Sequence, residues 1–170
     1  MVWKRCLDAS IAASMACDDE GACLVGTLAG TLFSLNRNTG KVRWVFHTDG
    51  ALWSSPTIAG GVGYFGSFDG NLYAIHLSSG SLQWTFATGN GVRPAYIYSS
   101  PAVSGGRVYV GGSDMNVYAV DAATGMCAWA YETRSPVYAS PAVRHSVVYV
   151  GSFDNDVYCV TDAADDALEV

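Results

Sequence analysis

Asp69, Asp114, Asp154 and Asp156 recur in short polar segments: S-F-D-G-N at 67–71, G-S-D-M-N at 112–116 and S-F-D-N-D at 152–156. Carboxylates invite a calcium reading, but a calcium loop gathers about six to eight oxygens at one point. These aspartates are spread along the chain, where Asp and Asn favour the turn itself. The histidines, His47, His76 and His145, share no ligand spacing. Ser99, Ser100 and the other serines stand beside no base motif of the kind a nucleophilic serine requires. No catalytic residue, cofactor-binding residue or metal ligand emerges from this set. Asp121, His76 and Asn36 sit where a side chain bonds the backbone two residues on.

The segments that carry these residues repeat. Gly26, Gly66, Gly111 and Gly151 each end a short apolar run, at spacings of 40, 45 and 40. Ser55-Pro56, Ser100-Pro101 and Ser140-Pro141 stand eleven residues ahead of the last three, and Ser14-Met15 precedes the first. One unit reads as a strand after Ser-Pro, a tight turn, a second strand such as V-Y-V-G, an Asp-containing turn, a third strand such as V-Y-A-V, a turn ending in glycine, and a fourth strand carrying tryptophan. Proline is tolerated at a strand's first residue, where the missing N–H costs little. Four short antiparallel strands in about 40 residues is the pattern of a propeller blade. The expected fold is all-β: a β-propeller of about four such blades, either half of an eight-bladed ring or a small closed ring.

Residues two apart share a strand face. Trp44 therefore points with Phe46, Trp84 with Phe86 and Trp129 with Tyr131, each pair toward a neighbouring blade. Burying one such tryptophan removes about 150–250 Å² from water, worth roughly 4–6 kcal/mol per junction as an upper bound. Trp3 lies eleven residues before Ser14, as Trp44 does before Ser55 and Trp129 before Ser140. It reads as the fourth strand of a blade whose first three strands are missing. The resulting division is a strand at 1–8 that completes a blade, blades at 9–48, 49–88, 89–133 and 134–161 (the last incomplete), and an acidic tail at 162–170. Trp3 either closes a four-bladed ring within one chain or pairs with a second chain.

Composition narrows the partners. The formal net charge is -6 with only nine Lys and Arg, which disfavours nucleic acid or an anionic membrane. No run of about 18 apolar residues predicts a membrane-spanning helix. The first ten residues lack the order of a signal peptide. The five cysteines, Cys6, Cys17, Cys23, Cys127 and Cys159, are odd in number and include no C-x-x-C pair. They read as reduced cysteines in a cytoplasmic protein, with Cys17 and Cys23 placed to face each other should 18–21 turn a hairpin.

The run A-V-D-A-A-T-G-M-C-A-W, Ala119 to Trp129, matches A-x-D-x-x-x-G-x-x-x-W and resembles the tryptophan-docking motif of PQQ-type, quinoprotein-like β-propeller repeats. Ala74–Trp84 and Ser34–Trp44 follow the same pattern, with His76 and Asn36 in place of the aspartate. The resemblance covers nearly the whole chain. Such propellers include PQQ-dependent alcohol dehydrogenases, BamB-type assembly lipoproteins, and regulatory propellers fused to kinases or adenylate-forming enzymes. It implies that Trp44, Trp84 and Trp129 dock blade on blade, and the spacing of Trp3 adds it to that set. It also implies the shallow blade angles of larger rings, so a homodimer is expected over a closed four-bladed monomer. The dehydrogenases hold PQQ with an adjacent cysteine pair and a calcium ion. This chain has no adjacent cysteines, and neither PQQ nor calcium is expected.

One departure from the repeat stands out. The connection T-G-N-G-V-R-P-A-Y-I-Y at 88–98 is five residues longer than its equivalents. Strands alternate in direction, so it emerges on the face of the Asp-containing turns. Arg93, Tyr96 and Tyr98 are thereby expected beside Asp69 and Asp114, and Tyr and Arg are common anchors of binding surfaces. The function expected is a non-catalytic scaffold for protein interaction or assembly, with this face meeting a protein or peptide. The alternative is a part of a quinoprotein dehydrogenase or a regulatory propeller.

Overall fold

Short apolar runs separated by turn residues zip into consecutive hairpins. The computed structural model describes residues 2–89 and 95–161, and among these every regular element is a strand. Blade 1 comprises β1 (Ala16–Cys17), β2 (Ala22–Gly26), β3 (Thr31–Asn36) and β4 (Val42–His47). Blade 2 comprises β5 (Thr57–Ala59), β6 (Val62–Gly66), β7 (Asn71–His76) and β8 (Leu82–Ala87). Blade 3 comprises β9 (Ala102–Ser104), β10 (Arg107–Gly111), β11 (Asn116–Asp121) and β12 (Cys127–Glu132). Blade 4 comprises β13 (Ala142–Arg144), β14 (Val147–Gly151) and β15 (Val157–Thr161). Each sheet pairs its strands antiparallel in chain order; the last has three strands and the others four.

The core lies between blades. Tyr64, Leu72, Ala74 and Trp84 of blade 2 meet Val108, Val110, Tyr118 and Val120 of blade 3. Blades 1 and 2 meet through Leu24, Leu32, Phe65 and Ile75, and blades 3 and 4 through Tyr109, Val117, Val148 and Val150. The middle strands are therefore apolar on both faces, which accounts for their unbroken hydrophobic runs. The innermost strands are linked by a relay of serines. The amide of Ser14 donates to Ser55 Oγ, that of Ser55 to Ser100 Oγ, and that of Ser100 to Ser140 Oγ, at 2.9–3.0 Å. This is a role for the Ser-Pro motif beyond starting a strand.

Each docking tryptophan reaches forward to the next blade. Trp44 Nε1 donates to the carbonyl of Leu77 at 2.9 Å, and Trp84 Nε1 to that of Ala122 at 3.0 Å. The indoles lie against the turn glycines. A Cβ on Gly80 would come within 2.6 Å of Trp44, and one on Gly125 within 2.7 Å of Trp84. Both glycines also hold φ of +74°. The glycine four residues before each tryptophan thus makes room for the tryptophan of the preceding blade. Trp129 joins the cluster between blades 3 and 4 and packs on Tyr109.

Trp3 obeys the same rule. Its Nε1 donates to the carbonyl of Arg37 at 2.8 Å, and its ring covers Gly40. Residues 2–7, expected within a strand, pair with none. A fourth strand needs a third beside it, and among the described residues none lies at that position. The docking thus survives where the pairing does not.

One cysteine expectation is corrected. Cys17 and Cys23 are bonded, S–S 1.96 Å, rather than reduced. They are direct partners across the β1–β2 hairpin, with Cα atoms 4.1 Å apart, so a one-turn hairpin delivers the pair without further folding. Cys6, Cys127 and Cys159 are free and exposed.

Trp84→Ala is expected to cost about 3–5 kcal/mol by loss of a buried indole. Gly125→Ala should also destabilise strongly, because positive φ and the overlap with Trp84 act together. Met126→Ala, at an exposed neighbour, should stay within about 0.5 kcal/mol. Urea unfolding midpoints of the three variants test this order.

Candidate functional site

The Asp-containing turns are closed units. Asp69 Oδ1 accepts from the amide of Asn71 at 2.9 Å, while Oδ2 accepts from the Tyr73 hydroxyl at 2.7 Å and the Asp49 amide at 3.2 Å. Asp114 repeats this with the Asn116 amide and the Tyr118 hydroxyl. Asp154 repeats it with the Asp156 amide, the Tyr158 hydroxyl and the Arg134 amide. Each carboxylate caps its own turn and tethers a tyrosine four residues on. Asp69 and Asp154 also hold the linker that enters their blade. Burial and then the carboxylate partner push the Tyr73 and Tyr118 hydroxyls above the ordinary tyrosine range. Desolvation acts to raise the pKa of Asp154. The Tyr158 hydroxyl, the amides of Asp156 and Arg134, and Ser152 outweigh it and hold the group at about 2. Asp156 forms an ion pair with Arg134. Among the described residues no three His, Cys, Asp or Glu side chains converge as a metal site.

Two of the three docking-motif polar residues, Asp121 and Asn36, are caps as well. Asp121 Oδ1 accepts from the amides of Ala123 and Thr124 and from the Thr124 hydroxyl; Thr124 first of all holds its pKa below the usual value. Asn36 makes the same set with Asn38 and Thr39.

What the face does present is aromatic. Tyr98 meets Phe68 edge-on with ring centres 4.4 Å apart, and Phe68 also meets Tyr96 at 5.3 Å and Trp53 at 6.0 Å. Tyr98 continues to Tyr138 at 4.6 Å, and Tyr138 to Phe153 at 4.8 Å. The row crosses from the linker into blade 2 to the Asp-containing turn of blade 4. Trp53, Tyr96, Tyr98 and Phe153 are all exposed. The local reason lies in the linkers. Leu52, Ile97 and Val137 turn inward over Gly26, Gly66 and Gly111, so the next residues, Trp53, Tyr98 and Tyr138, turn outward.

Of the residues expected to form a binding face, Tyr96 and Tyr98 stand together on it. Asp69 and Asp114 lie in the adjacent turns with their carboxylates engaged. Arg93 lies outside the described residues. Trp53, Phe68, Tyr138 and Phe153 complete the row and were not anticipated. For Trp53 and Tyr138 the signal was present: an aromatic residue stands three positions before the proline in W-S-S-P, Y-S-S-P and Y-A-S-P.

The blades, their docked tryptophans and the repeat register now allow comparison with known proteins. The family model described as outer membrane protein assembly factor BamB matches residues 1–169. The chain belongs to this family of PQQ-like repeat propellers. Among solved structures it is similar to BamB from Moraxella catarrhalis, with TM-score 0.81 and 22% identity over 94% of this chain and 52% of that one. It is similar to the computationally designed Ika4 protein, with TM-score 0.79 and 17% identity over 91% and 92% of the two chains. It is also similar to the quinohemoprotein alcohol dehydrogenase ADHIIG from Pseudomonas putida HK5, with TM-score 0.76 and 20% identity over 88% and 29%. The chain spans about half the length of the Moraxella protein. No curated protein matches it at the sequence level. At these identities the structural likeness establishes the fold, an open run of propeller blades.

The lowered pKa of Asp154 sets a pH dependence. A carboxylate held below its unfolded value of about 3.9 contributes stability above that value, and the contribution is lost as pH falls toward 2. The chain should therefore lose stability between about pH 5 and 2, and Asp154→Asn should flatten that fall while leaving the curve above pH 6 parallel. Thermal melts across this range measure both slopes.

Proposed function

We propose that the chain is a non-catalytic binding and assembly module whose aromatic face takes an extended protein or peptide segment. The observation that carries this reading is the exposed row from Trp53 through Phe68 and Tyr98 to Phe153. Rings in mutual contact are already ordered by one another, so they lose little side-chain entropy on binding, and aromatic residues dominate interface energetics. The surrounding carboxylates are committed to their turns. The face thus offers apolar anchoring and hydroxyl hydrogen bonds. The acidic balance of the chain favours segments with a neutral or basic character. Membership of a family described as an assembly factor supports the same reading. We further infer an oxidising compartment in place of the cytoplasm, because the Cys17–Cys23 disulfide persists there.

A permanently unfolded basic protein, such as reduced and carbamidomethylated lysozyme, is a suitable probe. It should bind the wild-type chain, and Tyr98→Ala combined with Phe68→Ala should weaken binding at least about tenfold, as expected for interface anchors. Binding that is absent, or indifferent to these changes, would refute the reading. Pyrroloquinoline quinone with calcium, added in parallel, should leave the melting temperature unchanged; a rise would favour the dehydrogenase alternative.

A further inference from the structure

The repeat makes every inter-blade contact predictable, and at the two ends of the chain the contacts are present by halves. At the C-terminal end blade 4 shows the face that blades 1, 2 and 3 bury. Tyr64 and Tyr109, at equivalent positions of β6 and β10, are 4% and 1% exposed, while Tyr149 of β14 is 47% exposed. Leu72 and Val117, the partners of Gly66 and Gly111, are fully buried, while Val157, the partner of Gly151, is 80% exposed. Among the described residues no strand lies beside the outer edge of β15.

The same holds for the linker plugs. Leu52, Ile97 and Val137 are fully buried, each over the glycine that ends the second strand of the preceding blade. A Cβ on Gly26, Gly66 or Gly111 would meet the plug at 2.8, 2.2 and 2.4 Å. At Gly151 the nearest atom would be Ala139 Cβ at 4.0 Å, so this socket holds no plug. Ile11, three residues before Ser14 as Leu52 is before Ser55, is 50% exposed: a plug without a socket. Trp3 is docked on blade 1 as a fourth-strand tryptophan should be, yet no strand pairs with its segment. The serine relay that starts at Ser14 ends, among the described residues, at Ser140.

We infer that the open face of blade 4 is covered by the N-terminal segment and blade 1 of a second copy of the chain, reciprocally, so that two copies close one ring. The occupant is a second copy because both halves of the missing contact lie on this chain, at matching repeat positions, and its own N-terminus does not reach them. A two-fold pairing of this kind joins unlike surfaces twice and terminates. The register follows from blade 3, where Trp129 pairs with Ala119 and Glu132 with Asn116. Trp3 of one copy lies opposite Cys159 of the other, and Cys6 opposite Asp156. Ile11 enters the socket at Gly151, and the amide of Ser140 donates to Ser14 Oγ of the other copy.

Light scattering on the 170-residue chain should give twice its mass. Ile11→Glu and Tyr149→Lys, both at exposed positions, should each reduce it to one chain mass with an unchanged far-ultraviolet spectrum. Asp156→Cys should oxidise with native Cys6 to a covalent dimer on a non-reducing gel, and adding Cys6→Ser should abolish that band. A single-chain mass for the wild type at high concentration would overturn the inference. So would an Asp156→Cys bond that forms within one chain, which would mean a closed four-bladed ring. A dimer that survives both Ile11→Glu and Tyr149→Lys would place the interface elsewhere and also overturn it.

Discussion

The structure depends on one contact: an indole that leaves its own blade and donates to a backbone carbonyl of the next. Trp44 to Leu77 and Trp84 to Ala122 are the same bond repeated, and Trp3 to Arg37 repeats it again without a blade of its own. The contact combines burial of a large apolar side chain with a hydrogen bond that satisfies the indole N–H against a turn carbonyl of the next blade. It also determines sequence at a distance. The turn glycine has to admit the foreign ring, and at two of the three joints the residue four positions before it, Asn36 or Asp121, caps the turn whose carbonyl the indole meets. Two motifs that look local are therefore two sides of an inter-blade joint.

Much of this was legible in the sequence. The spacing of Gly26, Gly66, Gly111 and Gly151 located the second strands, and Gly-x-x-x-Trp located the docking residues, because both report a geometry that recurs at a fixed period. Asp121 and Asn36 were legible as caps, since an Asx turn is a local event. What escaped was mostly contact between different linkers and turns. Phe68 lies on a turn of blade 2, Tyr138 on the linker into blade 4, and their common neighbour Tyr98 on the linker between. Periodicity along one strand carries no information about which rings from separate connections meet. The Cys17–Cys23 bond is a local event that a chain-wide cysteine count does not report: the two-residue strand β1 sets the pair opposite each other.

The aspartate turns show how a chemically suggestive residue becomes a structural one. A carboxylate with an amide on one oxygen and a tyrosine hydroxyl on the other has little left to give a ligand. Its work is to fix the linker above it, as the amides of Asp49 and Arg134 show. The aromatic row is mounted on those linkers, so the caps hold in place the surface assigned to binding. Structure and recognition meet in the same loops without sharing the same side chains.

The forward reach of the tryptophans has a consequence for how such chains are divided. Along the polypeptide a blade ends after its fourth strand, but the residue that secures the next blade sits on that strand. The segment that would be copied or deleted as a repeat is thus out of phase with the segment that stands firm alone. A cut made between Thr88 and Ala102 leaves Trp84 with blade 2 and strips blade 3 of its clamp. An inheritance unit that begins at a tryptophan strand and ends before the following one would carry its clamp with it.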